Sequence, residues 1–463
     1  MRLTIEDVLR LDYLAACNID SLKGIQFTGV STDSRTVQQG EIFIAIRGEK
    51  FDGNEFVGDA FEKGAACAVV EAQASINQYP TRPILVVSDS TKAFGKLANR
   101  YRRKFDIPMI AIAGSNGKTT TKEMIASGLQ TKYHVLSTKG NLNNHIGLPQ
   151  TLFRLDDKHE MAVVEIGTNH FGELRYLCEI LEPTHGLITN IGHEHLEFFK
   201  DLEGVAQAEG ELFDALDASD TGFVNVDDEY VVKLGKKIWK KVSYGFSKPN
   251  VRVRGKFVGI NSKACASFSV AMKGKKSFEI RLSVPGKHSM YNALAAATVG
   301  LSFGVTARSI QRALKNFTAV GKRMEVLSVD GVTILNDTYN ANLDSMFSAL
   351  ETLQAMKCNG KKIAILADML ELGERSQQEH ERIGKALATY GVDYLLTYGP
   401  MSRYINECAT MSLKFHYDQK NILSEYATEL VSPGDIVLVK GSRGMRMEDV
   451  VVFMQERLTR QAA

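Results

Sequence analysis

The segment MIAIAGSNGKTTTKEMIASGL (109–129) decides the fold. A short apolar run passes straight into a glycine-containing turn and then into a helical pattern, the opening of a βαβ unit in a parallel sheet. Backbone N–H groups of Gly114 to Thr119 can turn inward on an anion, because glycine tolerates the angles required. The helix that follows adds its positive N-terminal end. Within Gly114-Ser115-Asn116-Gly117-Lys118-Thr119-Thr120, Lys118 offers a full charge to the outer phosphates of a nucleotide and Thr119 a hydroxyl for Mg²⁺. The common G-x-x-x-x-G-K-[ST] spacing is not met, since Ile112 stands five residues before Gly117; the loop is the shorter G-x-x-G-K-T-T. The plain alternative, a strand–helix turn that happens to contain Gly-Lys-Thr, is disfavoured by the apolar strand before it.

Outward from this unit, apolar strands recur at 161–167, 185–192 and 222–228, separated by helical stretches, as expected of a parallel sheet covered on both faces. Residues 250–284 alternate with period two between Gly and Lys turns and predict a small antiparallel insert. Helices are expected over 292–304 and 306–317. Upstream, strands at 40–48, 66–71 and 83–89 with helices at 54–65 and 90–105 form a first block, and Ile107-Pro108 marks its end. Downstream, strands at 332–337, 362–368, 393–399 and 435–441 alternate with helices at 343–357, 376–389, 420–430 and 446–457. The expected organisation is three α/β domains, 1–106, 107–317 and 318–463: an N-terminal block, a central domain with a P-loop-type parallel sheet and the antiparallel insert, and a C-terminal Rossmann-like domain.

The 463-residue length suits such a division, at about 100–200 residues per domain. A net charge of +2 argues against a nucleic-acid binder and gives no hint of membrane attraction. The six cysteines show no C-x-x-C pair, so reduced thiols are expected. No apolar run of transmembrane length occurs and the N-terminus lacks a signal-peptide pattern, so the cytoplasm is the expected location.

Further polar residues gather at strand ends, where ligands bind in parallel sheets. Glu165 ends one strand and is a candidate for Mg²⁺, with a solvated strand-end acid as the alternative. His195 in TNIGHEHLE is a second candidate, with His193, Glu194 and Glu197 as competitors; the i, i+2 spacing of the two histidines does not suit a helical zinc pair. In VPGKHSMYNA (284–293), His288 and Asn292 share a helical face and Ser289 is placed to cap the helix, which alone is an ordinary helix start. Arg323 enters the third block. NDTYNANLDSM (336–346) ends a strand at Asp337 and leads through a polar turn to a helix capped by Asn342. KGSRG (440–444) repeats that placement after another strand.

Taken in order, these segments resemble the Mur ligase family across essentially the whole chain: the short loop, EIGTNH (165–170), the spacing of Asn190 and His195, GKHSMYN (286–292) and DTYNAN (337–342). NANLDSM (340–346) and ADMLELGE (367–374) are similar to the branch that joins D-alanyl-D-alanine to UDP-N-acetylmuramoyl-tripeptide. The Asp-Asn-Pro-Arg motif of the branch adding the third amino acid is absent, while STDSR (31–35) and FDGN (51–54) resemble the uridine-binding domain common to both. The resemblance implies ATP-dependent amide synthesis in peptidoglycan precursor assembly, through an acyl phosphate, with ATP and Mg²⁺ as cofactors. It implies that Glu165 and His195 hold metal with Thr119, that His288 and Asn292 flank the adenine side, and that Arg323 and Asp337 bring the last domain onto the nucleotide. Thr32, Asp33, Ser34 and Arg35 fall near the uridine diphosphate, and Asn141, Asn143 and Asn144 in a loop beside the active site. Asn340, Asn342 and Ser345 are assigned to D-alanyl-D-alanine. A monomer is expected, with neither nucleic acid nor membrane insertion involved.

Two positions depart from the family. Glu209 stands where many members carry a carbamylated lysine, and is expected to supply that negative charge directly; Glu211 is the competing residue. Leu343 replaces a proline, which is expected to loosen the turn before its helix. Alternatives are another amide ligase of the family and, from a different class, a nucleotide-driven switch. The third residue of the tripeptide, meso-diaminopimelate or lysine, is left open.

Overall fold

The structure is a computed structural model that describes residues 2–48 and 51–461. It divides into two compact units, one of Met1–Ala111, Tyr133–Thr168 and Gly172–His185, the other of Ile112–Lys132, Asn169–Phe171 and Gly186–Ala463. Its architecture is mixed α/β on three sheets.

In the first unit, β1 (Tyr13–Cys17), β2 (Val30–Ser31), β3 (Ile42–Ile44), β4 (Cys67–Val70) and β5 (Ile84–Val87) form a sheet in the order β1-β5-β4-β3-β2. Strands β2 to β5 pair in parallel, and β1 closes the edge antiparallel to β5. The continuous apolar runs of β3, β4 and β5 are buried, as expected of parallel strands covered on both faces. β1 is a finding, since its outward residues Tyr13 and Leu14 are exposed and its pattern lacks an apolar run.

The central sheet begins at β6 (Met109–Ala113), every residue of which is buried. On one side, within the first unit, Ala162 N–H donates to Pro108 O, which sets β8 (Met161–Glu165) beside β6, and β7 (Val135–Ser137) pairs parallel to β8. On the other side, within the second unit, Thr189 N–H donates to Ala113 O just past β9 (His185–Ile188). The sheet then continues through β10 (Thr221–Asn225) and β11 (Lys240–Gly245) to β12 (Val253–Ile260), β13 (Cys265–Met272) and β14 (Phe278–Pro285). β10, β11 and β12 run parallel; β12, β13 and β14 are the expected antiparallel insert.

The third sheet consists of β15 (Glu325–Val329), β16 (Val332–Asp337), β17 (Lys362–Ala367), β18 (Tyr394–Tyr398), β19 (Lys414–Tyr417) and β20 (Ile436–Lys440), in the order β15-β16-β20-β17-β18-β19. Its parallel centre agrees with the sequence expectation, and β15 is an antiparallel edge. The helix starting at Leu343 corrects the expectation of a loosened turn. Asn342 and Ser345 form a reciprocal capping box, and Leu343 is buried rather than left to the turn. Ser289 does not cap: the helix begins at His288, and the Ser289 hydroxyl lies inside it and donates to Pro285 O at 2.9 Å.

Leu366 in β17 is wholly buried, so Leu366→Ala is expected to cost ~2–5 kcal/mol in chemical denaturation. Leu14→Ala on the exposed edge of β1 is expected to change stability by less than ~0.5 kcal/mol.

Candidate active site

The phosphate loop is shaped by its neighbours. Gly114 has φ 113° and Gly117 φ 80°, in the left-handed region where side chains are strained. A Cβ added at Gly114 would lie 2.4 Å from Thr189 Oγ1, and one at Gly117 2.5 Å from Asn292 Oδ1. Asn190 straps the loop from outside. Its amide donates to Asn116 O at 2.9 Å, its side-chain oxygen accepts from Asn116 N–H at 3.0 Å, and its carbonyl accepts from Ser115 N–H at 2.9 Å. Ser115 Oγ accepts from Gly192 N–H at 2.8 Å. The loop therefore opens onto the helix Lys118–Leu129 with its backbone held by β9's continuation.

Lys118 Nζ donates to Gly114 O at 2.5 Å and to Glu194 Oε2 at 3.3 Å, and lies 4.0 Å from Glu209 Oε1. Glu209 is buried on the helix Leu202–Asp214 and accepts from Gly114 N–H at 2.6 Å. Burial, opposed by Lys118 and reinforced by the Glu194 carboxylate, pushes the Glu209 carboxyl up to about 8. Glu211 is also buried, but it is Glu209 that reaches the loop. Glu194, named in the sequence only as a competitor of His195, is a member of this cluster.

The third block reaches the same loop inside the second unit. Asn342 Nδ2 donates to Asn116 Oδ1 at 3.1 Å. Asp344 accepts from His193 N–H at 2.7 Å and lies 3.1 Å from His193 Nδ1, which raises the His193 imidazole above its usual value. His195, in the left-handed region at φ 49°, sets Nδ1 2.5 Å from Glu371 Oε2. The other nitrogen, Nε2, lies 3.9 Å from Glu194 Oε2 and faces the Lys118 cluster. Asp344 and Glu371 were not legible as site residues, since neither has a local pattern tying it to a loop 150 or more residues away.

A second group lies at the C-terminal edge of β16 and β20. Asp337 accepts from Lys440 Nζ at 2.6 Å and from Met324 N–H at 3.0 Å, and Lys440 donates also to Asn340 O at 2.9 Å. Arg323 stacks 3.6 Å from the Tyr339 ring centroid, with Arg443 5.5 Å away. His288 is partly buried, and desolvation lowers its imidazole below the usual value.

In the first unit, Glu165 accepts from Asn143 Nδ2 at 2.9 Å, and its N–H donates to Thr138 Oγ1 at 3.0 Å. Asn144 Oδ1 accepts from Gly147 N–H, an ordinary helix-start role, and Asn141 O accepts from Asn143 N–H. Arg35 grips Asp33 through Nε and NH2 at 2.9 and 2.8 Å, which holds the Asp33 carboxyl at about 2. Thr32 Oγ1 accepts from Gln150 Nε2 at 3.4 Å, and Ser34, between Asp33 and Arg35 in the sequence, is buried.

In the second unit, the buried carboxylate oxygens Glu194 Oε1 and Glu209 Oε1 have no hydrogen-bond partner, acceptor capacity of the kind Mg²⁺ uses beside a nucleotide's phosphates. In the first unit, the buried Glu165 Oε2 is likewise without one.

The raised Glu209 carboxyl makes stability depend on pH. The folded state holds a proton that the unfolded chain releases near the ordinary carboxylate value of 4.5, so this stabilisation is lost as pH rises from there through about 8. Without nucleotide, the melting temperature of Glu209→Gln relative to the parent is expected to rise between pH 5 and pH 8.5 in thermal denaturation. A difference independent of pH would contradict that origin.

Three family models match: the Mur ligase family catalytic domain over residues 26–102, the Mur ligase middle domain over 112–300 and the Mur ligase glutamate ligase domain over 322–443. The chain is 35% identical to the UDP-N-acetylmuramoyl-tripeptide–D-alanyl-D-alanine ligase of Bacillus subtilis, covering 91% of this chain and 92% of the relative. It is 34% identical to the protein of the same name from Escherichia coli, over 95% and 96%. Among solved structures, MurF from Acinetobacter baumannii superposes with a TM-score of 0.90 at 29% identity, covering 98% and 99%. MurF from Thermotoga maritima in complex with ADP gives 0.84 at 26% identity, over 94% and 98%. With all three domains matched and relatives similar along nearly their whole length, the chain belongs to the Mur ligase family.

Proposed function

We propose that the chain is the ATP-dependent ligase that joins D-alanyl-D-alanine to UDP-N-acetylmuramoyl-tripeptide in peptidoglycan precursor synthesis. The observation that carries this reading is the short phosphate loop, strapped by Asn190 and Glu209, in a chain similar over nine-tenths of its length to ligases of that name. A carboxylate is a poor electrophile, so the terminal carboxylate of the tripeptide takes the γ-phosphoryl group of ATP and becomes an acyl phosphate. The amine of D-alanyl-D-alanine then attacks the carbonyl carbon, and the tetrahedral intermediate expels phosphate to leave the amide.

The loop N–H groups and Lys118 hold the phosphates and offset charge on the transferring group. Thr119, His195 and Glu165 are the proposed holders of Mg²⁺, which supplies charge neutralisation at the phosphoryl oxygens. His195 is aimed by Glu371, which engages Nδ1 and leaves Nε2 toward the cluster. Asn292, against Gly117, and His288 are assigned to the adenine side, with Arg323 and Asp337 at the edge of the ligase block. Asn340, Asn342 and Ser345 are assigned to the dipeptide; in this geometry Asn342 and Ser345 also cap a helix, which ties acceptor recognition to the turn that touches Asn116. Thr32, Asp33, Ser34 and Arg35 are assigned to the uridine diphosphate, and Asn141, Asn143 and Asn144 to the loop beside Glu165. We further propose three domains bounded near residues 106 and 317, a monomer, and action in the cytoplasm. Among the described residues no helix is long and apolar enough to cross a membrane.

Glu209 takes the place of a carbamylated lysine. It presents a buried carboxylate to Lys118 and Gly114 with no need for CO₂. Glu209→Gln is therefore expected to lower turnover and alter the Mg²⁺ dependence, and depletion of CO₂ and bicarbonate to leave the parent unaffected. Unchanged turnover and Mg²⁺ response in Glu209→Gln would remove this role.

Phosphate release is expected only when UDP-N-acetylmuramoyl-tripeptide and D-alanyl-D-alanine are both present, and to fall about 10²–10³-fold in Lys118→Ala. Release without an amine acceptor would indicate a nucleotide switch, and release with a free amino acid but not the dipeptide another amide ligase of the family.

A further inference from the structure

The near-neutral balance of the whole chain conceals a segregation of charge. Residues 247–282, which hold β12, β13 and most of β14, carry nine basic side chains and one acid, Glu279, a net +8. Since the chain totals +2, the remaining residues carry −6. All nine cations are exposed. Arg281 pairs with Glu279; the other eight have no ion pair among the described residues. Such asymmetry within one chain points to an anionic partner.

The strand register gathers these charges. Val253 pairs with Met272 and Arg254 with Ala271, which sets the β13–β14 turn, with Lys273, Lys275 and Lys276, beside Arg252 and Arg254. One face of these strands is buried through Phe268, Val270, Ile280 and Leu282 and is packed by the helices His288–Ser302 and Ala307–Lys315. The opposite face presents Arg254, Lys256 and Arg281 around the small side chains Ser267, Ser269 and Ala271 of β13. Large cations flanking small residues leave a flat, positive platform.

At the other end of β12 the surface turns apolar. Beyond Lys256 a β-bulge lies between Phe257 and Gly259, and Val258 within it is 57% exposed; Phe257 and Ile260, 45% and 39% exposed, pair with the buried Phe268 and Ala266 and so belong to the helix-packed face. The charges and the apolar tip lie along one strand, about 20 Å end to end at the usual rise. A polynucleotide would use the cations but offers nothing to aliphatic Val258. A lipid headgroup layer uses both, since phosphates meet the lysines while a short apolar side chain enters the acyl boundary.

We propose that the outer face of β12–β14 docks the enzyme peripherally on an anionic phospholipid bilayer, with the β13–β14 turn over headgroup phosphates and Val258 in the interface. None of these residues belongs to the ligase machinery, so this proposal and the ligase reading fail separately.

The test is co-sedimentation of the full chain with vesicles of phosphatidylcholine alone or mixed with phosphatidylglycerol. Binding is expected only to the mixed vesicles, and to weaken as salt rises. Combined Lys273→Glu, Lys275→Glu and Lys276→Glu is expected to cut partitioning at least about a hundredfold, at roughly fivefold per neutralised cation. Val258→Asp is expected to weaken it further, with the ligase rate in vesicle-free solution unchanged in every variant as the control for folding. Failure to bind mixed vesicles, or equal partitioning of parent and triple variant, overturns the proposal. So does tighter binding to a duplex oligonucleotide at the same ionic strength that Val258→Asp leaves intact.

Discussion

The ammonium of Lys118 lies among two buried carboxylates, Glu194 and Glu209, and the loop is built around that imbalance. Were both acids ionised, one of the two negative charges would stay buried without a balancing cation from Lys118, a costly state. The chain relieves it in two ways. Glu209 takes up a proton far more readily than an exposed acid, and its other oxygen is tied to Gly114 N–H. A dication arriving with a nucleotide would relieve it better, because it would let both acids ionise while the phosphates balance the metal. The charge on Glu209 is thus set by burial, which favours the acid, and by the cation beside it, with Lys118 favouring the carboxylate.

Polar bonds from the third block converge on this loop. Asn342 reaches Asn116, Asp344 reaches His193, and Glu371 reaches His195. Each joins a residue on or beside the phosphate loop to a residue on or just before a helix or turn of the C-terminal block. These contacts are polar and partly exposed, so they are individually weak and reversible in water. Such a set can form and break during a catalytic cycle, which a large apolar interface could not do at comparable cost.

The strands buried on both faces were legible because burial dictates their composition. Residues 109–113 and 363–367 are continuous apolar runs and 332–335 is apolar except for Thr333, and the chain leaves these runs at Gly114, Asp368 and Asn336-Asp337. β1, β2, β7, β11, β15 and β19 were not foreseen. They are short or half-exposed, and β1, β15 and β19 are sheet edges, so their side chains obey solvent as much as the core. The site divides the same way. The loop, Glu165, His195 and Asn342 sit at strand ends or caps, where sequence position implies geometry. Glu371 and Asp344 gain their roles only from tertiary packing, and Ser289 was misread because the helix already begins at His288, which leaves Ser289 inside it.

Whole-chain charge was the least informative quantity, and topology explains why. β10 and β11 belong to the parallel part of the sheet, whose crossover connections supply helices to both faces. From β12 onward the chain reverses through hairpins, which need no crossover helix. The insert is therefore covered on one face only, by the helices that follow it. A face released from packing is free to carry any polar composition, and among the charged residues of 247–282 all but Glu279 are lysine or arginine. Self-repulsion among unpaired like charges costs stability. A fold that needed only solubility from this surface could mix acids among the cations and avoid that cost, so the one-sided composition reflects a requirement from outside the fold.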